Sequence, residues 1–169
     1  SPERRQLAKT GVLRSAYMLG NGEEVMLAAT DLLAETKVAP ELSNEAHYYR
    51  AKAYLDAGKV EGAMDDLKIL AKDTRNIYGA EAKYKVAQIY FDAGQTEQAE
   101  KEVLDYIEVS TPHTYWLARS FVLLSDVYMK LGRNLDAKQY LLSLKQNYQA
   151  DDDIAGMIES RLNKLNAEN

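Results

Sequence analysis

Two stretches of the chain share one pattern: residues 53–63 read AYLDAGKVEGA, and residues 89–99 read IYFDAGQTEQA. Each has a tyrosine, a glycine and an alanine at the same mutual spacing, and the second copy follows the first by 36 residues. When 46–70 is laid over 82–106, nine of 25 positions are identical, whereas chance gives about two. This self-similarity indicates a structural unit that recurs along the chain.

Further copies lie on both sides of this pair. A third copy, SDVYMKLGRNLDAKQYLLSL at 125–144, follows 38 residues after the second. A first and weaker copy, RSAYMLGNGEEV at 14–25, aligns through Tyr17 and Val25 only if its turn has lost one residue. A period of this length predicts a helix pair that cannot bury both of its faces alone and therefore stacks on a neighbouring pair.

The spacing within one copy explains how such a pair packs. Ala51 and Tyr54 are three residues apart, a spacing that puts two side chains on one face of a helix. Gly58 follows, and glycine readily takes the positive φ that ends a helix. Ala63 and Leu67 then begin a second apolar stripe. Small residues let the two helices approach, and the tyrosine fills the space beside them.

The composition favours helices and excludes several kinds of site. The chain has 169 residues, 46% of them apolar, with three Pro and no Cys, so it can bury a core but forms no disulfide or thiolate metal site. A net charge of -5 argues against binding to nucleic acid, which requires clustered Lys and Arg. No apolar run is long enough to cross a membrane, so we expect no direct membrane insertion by this segment.

The apolar periodicity predicts nine helices. We expect them at about 3–19, 23–37, 43–57, 60–72, 79–93, 96–109, 114–131, 134–147 and 151–165. We expect 1–169 to form a single repeat domain with units at 3–40, 43–78, 79–113 and 114–150, followed by a capping helix at 151–165. The last helix has one apolar and one charged face, which suits the end of a stack.

The repeat resembles the tetratricopeptide repeat (TPR) family, on the pattern Ala51, Tyr54, Gly58, Ala63 and Leu67 and its later copies. The resemblance implies an all-α fold, a right-handed α-α superhelix (a TPR-like solenoid) of about four helix pairs plus a C-terminal capping helix. Units of 36 to 38 residues are similar to those of larger bacterial cell-envelope proteins, so this stretch resembles the C-terminal repeat array of such a protein. The start Ser1-Pro2 also suggests a segment of a longer chain.

In this family the first helix of each pair lines a concave groove. The resemblance therefore implies a partner-binding groove, in which we expect the rings of Tyr48, Tyr84 and Phe91 to be exposed. The side chains of this groove are Met18, Tyr48, Lys52, Leu55, Asp56, Tyr84, Gln88, Phe91, Asp92, Val122, Asp126 and Met129. Aromatic and methionine side chains would contact apolar groups of a peptide, and the charged ones would pair with its polar groups.

The chain offers few residues for catalysis or metal binding. His47 and His113 stand alone in the sequence. The carboxylates of Asp65-Asp66 are consecutive on a helix, so they do not converge on a cation, and we expect them on the solvated surface. The run 151–153 reads DDD and is explained by capping of the following helix. We therefore expect no catalytic, cofactor-binding or metal-binding residues and no cofactor.

These observations favour a non-enzymatic scaffold that binds a partner peptide or protein on the concave face. The alternative is a structural spacer or self-association module within a larger assembly, whose N-terminal helix pair docks on another copy or on preceding repeats. A third reading is an enzyme whose catalytic part lies outside this segment. For location, the resemblance alone favours the cell envelope or periplasm over the cytoplasm.

Overall fold

The computed structural model describes residues 1–168, and in this part of the chain every regular element is a helix. The helices are α1 (Pro2–Met18), α2 (Gly22–Leu33), α3 (Pro40–Asp56), α4 (Val60–Leu70), α5 (Ile77–Asp92), α6 (Thr96–Glu108), α7 (Thr114–Lys130), α8 (Asn134–Asn147) and α9 (Ile154–Ala167). The predictions of an all-α fold class and of nine helices are thus confirmed for the described residues.

The chain divides into two compact units. The first runs from Ser1 to Asp73 and contains α1 to α4, and the second begins at Thr74 and contains α5 to α9. In the first unit α2 packs against both α1 and α3, and α3 packs against α4. In the second unit α5 and α6 both pack against α7, and α7 and α8 both pack against α9. Each unit has its own cluster of buried apolar side chains.

The glycine of each repeat ends the first helix of a pair in the same way. The residues Gly20, Gly58, Gly94 and Gly132 have φ of 70, 74, 79 and 76°. After each glycine the next backbone N–H bonds back to a carbonyl five residues earlier, as from Lys59 to Tyr54 at 2.8 Å. This closure satisfies carbonyls that the end of a helix leaves unpaired. The recurring Gly is therefore explained by backbone conformation.

The first repeat aligns without a missing residue, so that part of the sequence alignment was wrong. Asn21 N–H bonds to the Ala16 carbonyl in the turn of the first pair, which makes Ala16 and not Tyr17 the equivalent of Tyr54. Leu13 then takes the place of Ala51, and both are buried. The large and small side chains have exchanged places, so the packed volume is similar while the sequence likeness is lost.

Close packing within the second pair matches the explanation drawn from the spacing. Ala51 and Ala63 are 1% and 0% exposed. The Tyr54 ring lies over α4 at Gly62, where a Cβ would come within 3.1 Å of the ring carbons. The ring can therefore occupy this place because Gly62 has no side chain.

Helix starts differ from the prediction where a capping signal was overlooked. α3 begins at Pro40, three residues early, because proline suits the first turn of a helix. α5 begins at Ile77 because the Asn76 side chain accepts the backbone N–H of Tyr78 at 2.8 Å. α9 begins only at Ile154, whose N–H donates to Asp152 at 2.9 Å. Of the DDD run, Asp152 thus bonds a free N–H at the start of α9 as expected, whereas the N-cap residue Asp153 makes no side-chain capping bond.

The last helix covers the apolar sides of α7 and α8. Its buried stripe is formed by Ile154, Ile158, Leu162 and Leu165, each at most 6% exposed. These side chains join the cluster that contains Leu123 of α7 and Leu141 of α8. Glu159 and Lys164 face solvent. α9 therefore ends the second unit with a polar outer side, as expected of a capping helix.

Candidate functional site

Three helices of the second unit form one face, because α5 packs against α7 and α7 packs against α9. α5 and α7 are the first helices of their pairs, which is the position that the family resemblance assigns to a groove. We call this surface the α5–α7–α9 face. It comprises Tyr84, Gln88, Phe91, Asp92, Arg119, Asp126, Met129, Met157, Arg161 and Lys164.

Arg119 lies at the centre of this face and is held by two tyrosines. Its Nη2 donates to the Tyr84 hydroxyl at 2.9 Å, and its Nη1 donates to the Tyr115 hydroxyl at 3.0 Å. The guanidinium carbon lies 4.8 Å from the centroid of the Tyr84 ring, a favourable cation–π distance. Burial alone would lower the pKa of Arg119, but the hydrogen bonds to Tyr115 and Tyr84 outweigh it and the pKa is raised. Arg119 therefore stays charged and fixed in orientation.

A chain of hydrogen bonds continues from Tyr84 along α5. The Tyr84 hydroxyl donates to Gln88 Oε1 at 2.8 Å, and Gln88 Nε2 donates to Asp92 Oδ1 at 2.8 Å. Burial raises the pKa of the Tyr84 hydroxyl, an effect that the Arg119 charge only partly offsets, so the hydroxyl remains protonated and can donate. Gln88 and Asp92, both predicted groove residues, are thus fixed by neighbours on their own helix.

Asp126 of α7 pairs with Arg161 of α9. Arg161 Nε and Nη2 donate to the two carboxylate oxygens at 2.7 and 2.9 Å, which is the paired geometry that guanidinium and carboxylate groups favour. The pair is partly exposed, with 27% and 23% of the two side chains accessible. It links the capping helix to the face, a contact that the sequence did not predict because the two residues are 35 apart.

Two cavities open on this face and share Asp126. The smaller, of about 80 Å³, is lined by residues that include Tyr84, Arg119 and Arg161. The larger, of about 380 Å³, is lined by Phe91, Met129 and charged side chains from α7 and α9. The predicted residues Phe91, Asp126 and Met129 therefore come together at one open cavity with apolar and charged walls. Such a cavity can take one apolar side chain of a partner and pair with polar groups beside it.

Two of the predicted groove residues are buried. Tyr84 is 5% exposed and Val122 is 2% exposed. The Tyr84 ring packs on Trp116, with ring centroids 5.6 Å apart, and Val122 belongs to the apolar cluster of the second unit. The expectation that the Tyr84 ring is exposed was therefore wrong, because the ring fills a gap between α5 and α7 and contributes only its hydroxyl to the face.

The remaining predicted residues lie in the first unit. Met18 and Asp56 are exposed, and Tyr48, Lys52 and Leu55 are half-buried. Lys52 Nζ lies 5.3 Å from the centroid of the Tyr48 ring, so the two side chains form a cation–π contact. Their part in binding a partner remains a prediction.

A buried ionic cluster in the first unit was missed by the sequence reasoning. Asp66 of α4 is 1% exposed. Its carboxylate contacts His47 Nδ1 at 2.7 Å and accepts from Arg50 Nε and Nη2 at 2.9 and 2.7 Å. The interpretation of Asp66 as a solvated surface residue was wrong. A signal was present, because Asp66 lies between Ala63 and Leu70 on the apolar stripe of α4.

This cluster sets the charge state of Asp66. Burial alone would raise the pKa of Asp66, but the hydrogen bonds from His47 and Arg50 outweigh it and lower the pKa. The ionised carboxylate therefore joins α3 to α4 inside the first unit. Within residues 1–168 we find no group of three or more His, Asp or Glu side chains arranged to hold a metal ion.

No helix in the described part of the chain has the length and apolarity needed to span a membrane.

Comparison with known proteins relates the chain to others by fold. No protein-family model matches the sequence, and no curated protein matches it.

Two solved structures match over almost the whole chain. Both contain the nearly identical TPR-like repeats of a putative kinesin light chain of Podosopora anserina, and one of them carries a single substitution. The substituted form has a TM-score of 0.59 at 14% identity and covers 96% of this chain and 93% of its own. The other has a TM-score of 0.57 at 16% identity and covers 99% and 95%. This protein has a TPR-like fold.

Proposed function

We propose that the chain is a non-enzymatic scaffold that binds a segment of another protein on the α5–α7–α9 face. The TPR-like fold supports the general assignment, because folds of this kind usually serve protein interaction. The observation that supports this location is the cavity of about 380 Å³ with Phe91 and Met129 on its walls and Asp126 at its border with the smaller cavity.

The geometry suits a short partner segment with one apolar anchor. Phe91 and Met129 are packed against the apolar cluster of the second unit, so they are held in place at the wall of the cavity. Asp126 is fixed by Arg161, and Asp92 by Gln88. Because these groups are already ordered, most of the entropy cost of binding falls on the partner. The net charge of -5 supports a protein partner rather than a nucleic acid.

Selection from a random peptide library against the chain tests this proposal. We expect enriched peptides to share an apolar side chain, and their affinity, measured by fluorescence polarisation, to fall about tenfold or more in Met129→Glu. The matched control is Leu142→Glu, a substitution of an exposed leucine on α8, which should leave the affinity unchanged. Equal loss in both variants, or no enriched peptide, would contradict the proposal.

The other inferences from the family resemblance and the periodicity remain proposals as well. We also propose that the groove residues predicted in the first unit, from Met18 to Asp56, contact a partner, and the same assay with Tyr48→Ala tests this. The location in a bacterial cell envelope and the division into repeat units within one domain 1–169 rest on the resemblance and the periodicity alone.

A further inference from the structure

The outer side of α1 presents an apolar surface to solvent. We call it the α1 outer face and define it by Ala8, Gly11, Val12, Ser15 and Leu19. Val12 and Leu19 are 52% and 83% exposed, and the other three are exposed as well. With Ala16, Asn21 and Glu24 they line an open cavity of about 570 Å³. Continuous apolar surface of this kind commonly marks an interaction site.

Apart from the position of Leu19, whose equivalents Ala57, Ala93 and Leu131 are exposed, the register positions of this face are buried or half-buried elsewhere in the chain. Counted back from the turn glycine, Ala8 corresponds to Ala46 of α3 and to Ser120 of α7, and both of these are 0% exposed. Ala46 packs in the cluster formed with α1 and α2, while α7 packs against α5 and α6. Within each unit this side of a first helix is therefore the side that another helix pair covers. The corresponding side of α1 has the composition of such a contact, but no helix covers it in the described residues.

The composition of the α1 outer face suits a second copy of the same chain. None of its five residues is charged, so two such faces can meet without bringing like charges together. Gly11 has no heavy atom within 4 Å of where a Cβ would lie, which leaves room for close approach of another helix at the middle of the face.

The ends of the face carry opposite charges. Arg4 lies one turn before Ala8 and is exposed, and Glu24 borders the cavity beside Leu19. If two copies of α1 lie antiparallel with their midpoints near Gly11, Arg4 of each copy falls near Glu24 of the other. A parallel arrangement would instead bring the two Arg4 side chains together, which is unfavourable.

We propose that two copies of this chain pair through their α1 outer faces, with the α1 helices antiparallel about a twofold axis near Gly11. The contact buries Val12 and Leu19 and places Arg4 against Glu24 at both ends. This surface is separate from the α5–α7–α9 face, so the two proposals succeed or fail independently.

Sedimentation equilibrium over about 1 µM to about 1 mM protein tests the pairing. We expect the mass to rise with concentration from 19.0 kDa towards twice that value. Val12→Glu should keep the mass at the monomer value, because it would bury an unpaired charge at the centre of the contact. The control Leu135→Glu, on an exposed leucine of α8, should associate like the original chain. Circular dichroism checks that each variant retains its helices.

Charge reversal tests the antiparallel register. Arg4→Glu should weaken association about tenfold, and the double variant Arg4→Glu/Glu24→Arg should restore it, because each end regains an opposite pair. A monomer at every concentration, or association that Val12→Glu does not reduce, would overturn the pairing. Association without rescue by the double variant would overturn the proposed arrangement.

Discussion

Glycine at the end of the first helix is a requirement of the backbone in each repeat. At Gly94 the φ of 79° lies in the left-handed region, while a Cβ there would meet no heavy atom within 4 Å. A side chain at this position would therefore be strained by its own backbone and not by a neighbour. For this reason the turns at Gly58, Gly94 and Gly132 could be predicted from the spacing of the glycines in the sequence.

Replacement of Gly94 by Ala should lower the free energy of unfolding by about 1–2 kcal/mol, because alanine resists positive φ. Gly156→Ala is the matched control, since Gly156 lies inside α9, also has open space around its Cβ position and lacks a positive φ. That change should raise the free energy of unfolding by about 0.5–1 kcal/mol. Urea unfolding measures both, and a similar effect of the two changes would contradict the explanation.

The burial and pairing of Asp66 were the features hardest to predict from the sequence. Its neighbour Asp65 is exposed and Asp66 is buried, although the two have identical chemistry. The distinction depends on His47 and Arg50, which lie 19 and 16 residues away. Pairing between separate helices could not be deduced from the local pattern, although the position on the apolar stripe of α4 was visible.

Asp66→Asn should lower the free energy of unfolding by about 3 kcal/mol near neutral pH, because it leaves the partly buried Arg50 without its carboxylate. Asp65→Asn, the adjacent control, should change it by less than about 0.5 kcal/mol. Urea unfolding of both variants at about pH 7 measures the difference. Equal effects would show that the buried cluster adds no stability.

The pH dependence of this difference follows from the pKa of Asp66. Because the folded pKa is lowered below its ordinary value of 3.8, the stabilisation is fully present above 3.8 and is lost as the pH falls through the folded pKa. We therefore expect the stability gap between the original chain and Asp66→Asn to shrink below about pH 3.8. A gap that widened as the pH fell below about 3.8 would contradict the ionised state of Asp66.

At the scale of the helix, periodicity predicted the number and order of elements better than their ends. α8 was predicted at 134–147, which is where it lies, whereas α3 and α5 begin earlier than predicted and α9 begins later. The reason is that apolar stripes repeat along a whole helix, while each end depends on one proline or one capping side chain. The first repeat was misaligned because Leu13 and Ala16 exchange the large and small positions.

The capping role of α9 rests on its buried stripe. Ile158→Ala should lower the free energy of unfolding by about 2–4 kcal/mol, because Ile158 is 2% exposed within the apolar cluster of the second unit. Ser160→Ala, an exposed change on the same helix, should have an effect near zero. Thermal and urea unfolding followed by circular dichroism check both. If Ile158→Ala were as mild as its control, α9 would be dispensable for the second unit.

At the scale of the whole molecule, the repeat predicted the fold but only part of the candidate site. Self-similarity predicted stacked helix pairs, the resemblance of the repeat to the TPR family implied the TPR-like class, and the comparison with solved structures agrees with it. The groove residues were inferred from family positions, which specify the helix face but not the depth of each side chain. Tyr84 and Val122 therefore turned out to be buried, and Arg161 of the capping helix was left out of the predicted groove.

The proposed site is most directly tested by NMR of the isotopically labelled chain with a peptide from the library selection. We predict that the amide signals shifted by the peptide cluster at Phe91, Asp126 and Met129, and that those of the exposed side of α8 around Leu135 stay in place. Shifts confined to α8 or to the α1 outer face would contradict binding on the α5–α7–α9 face.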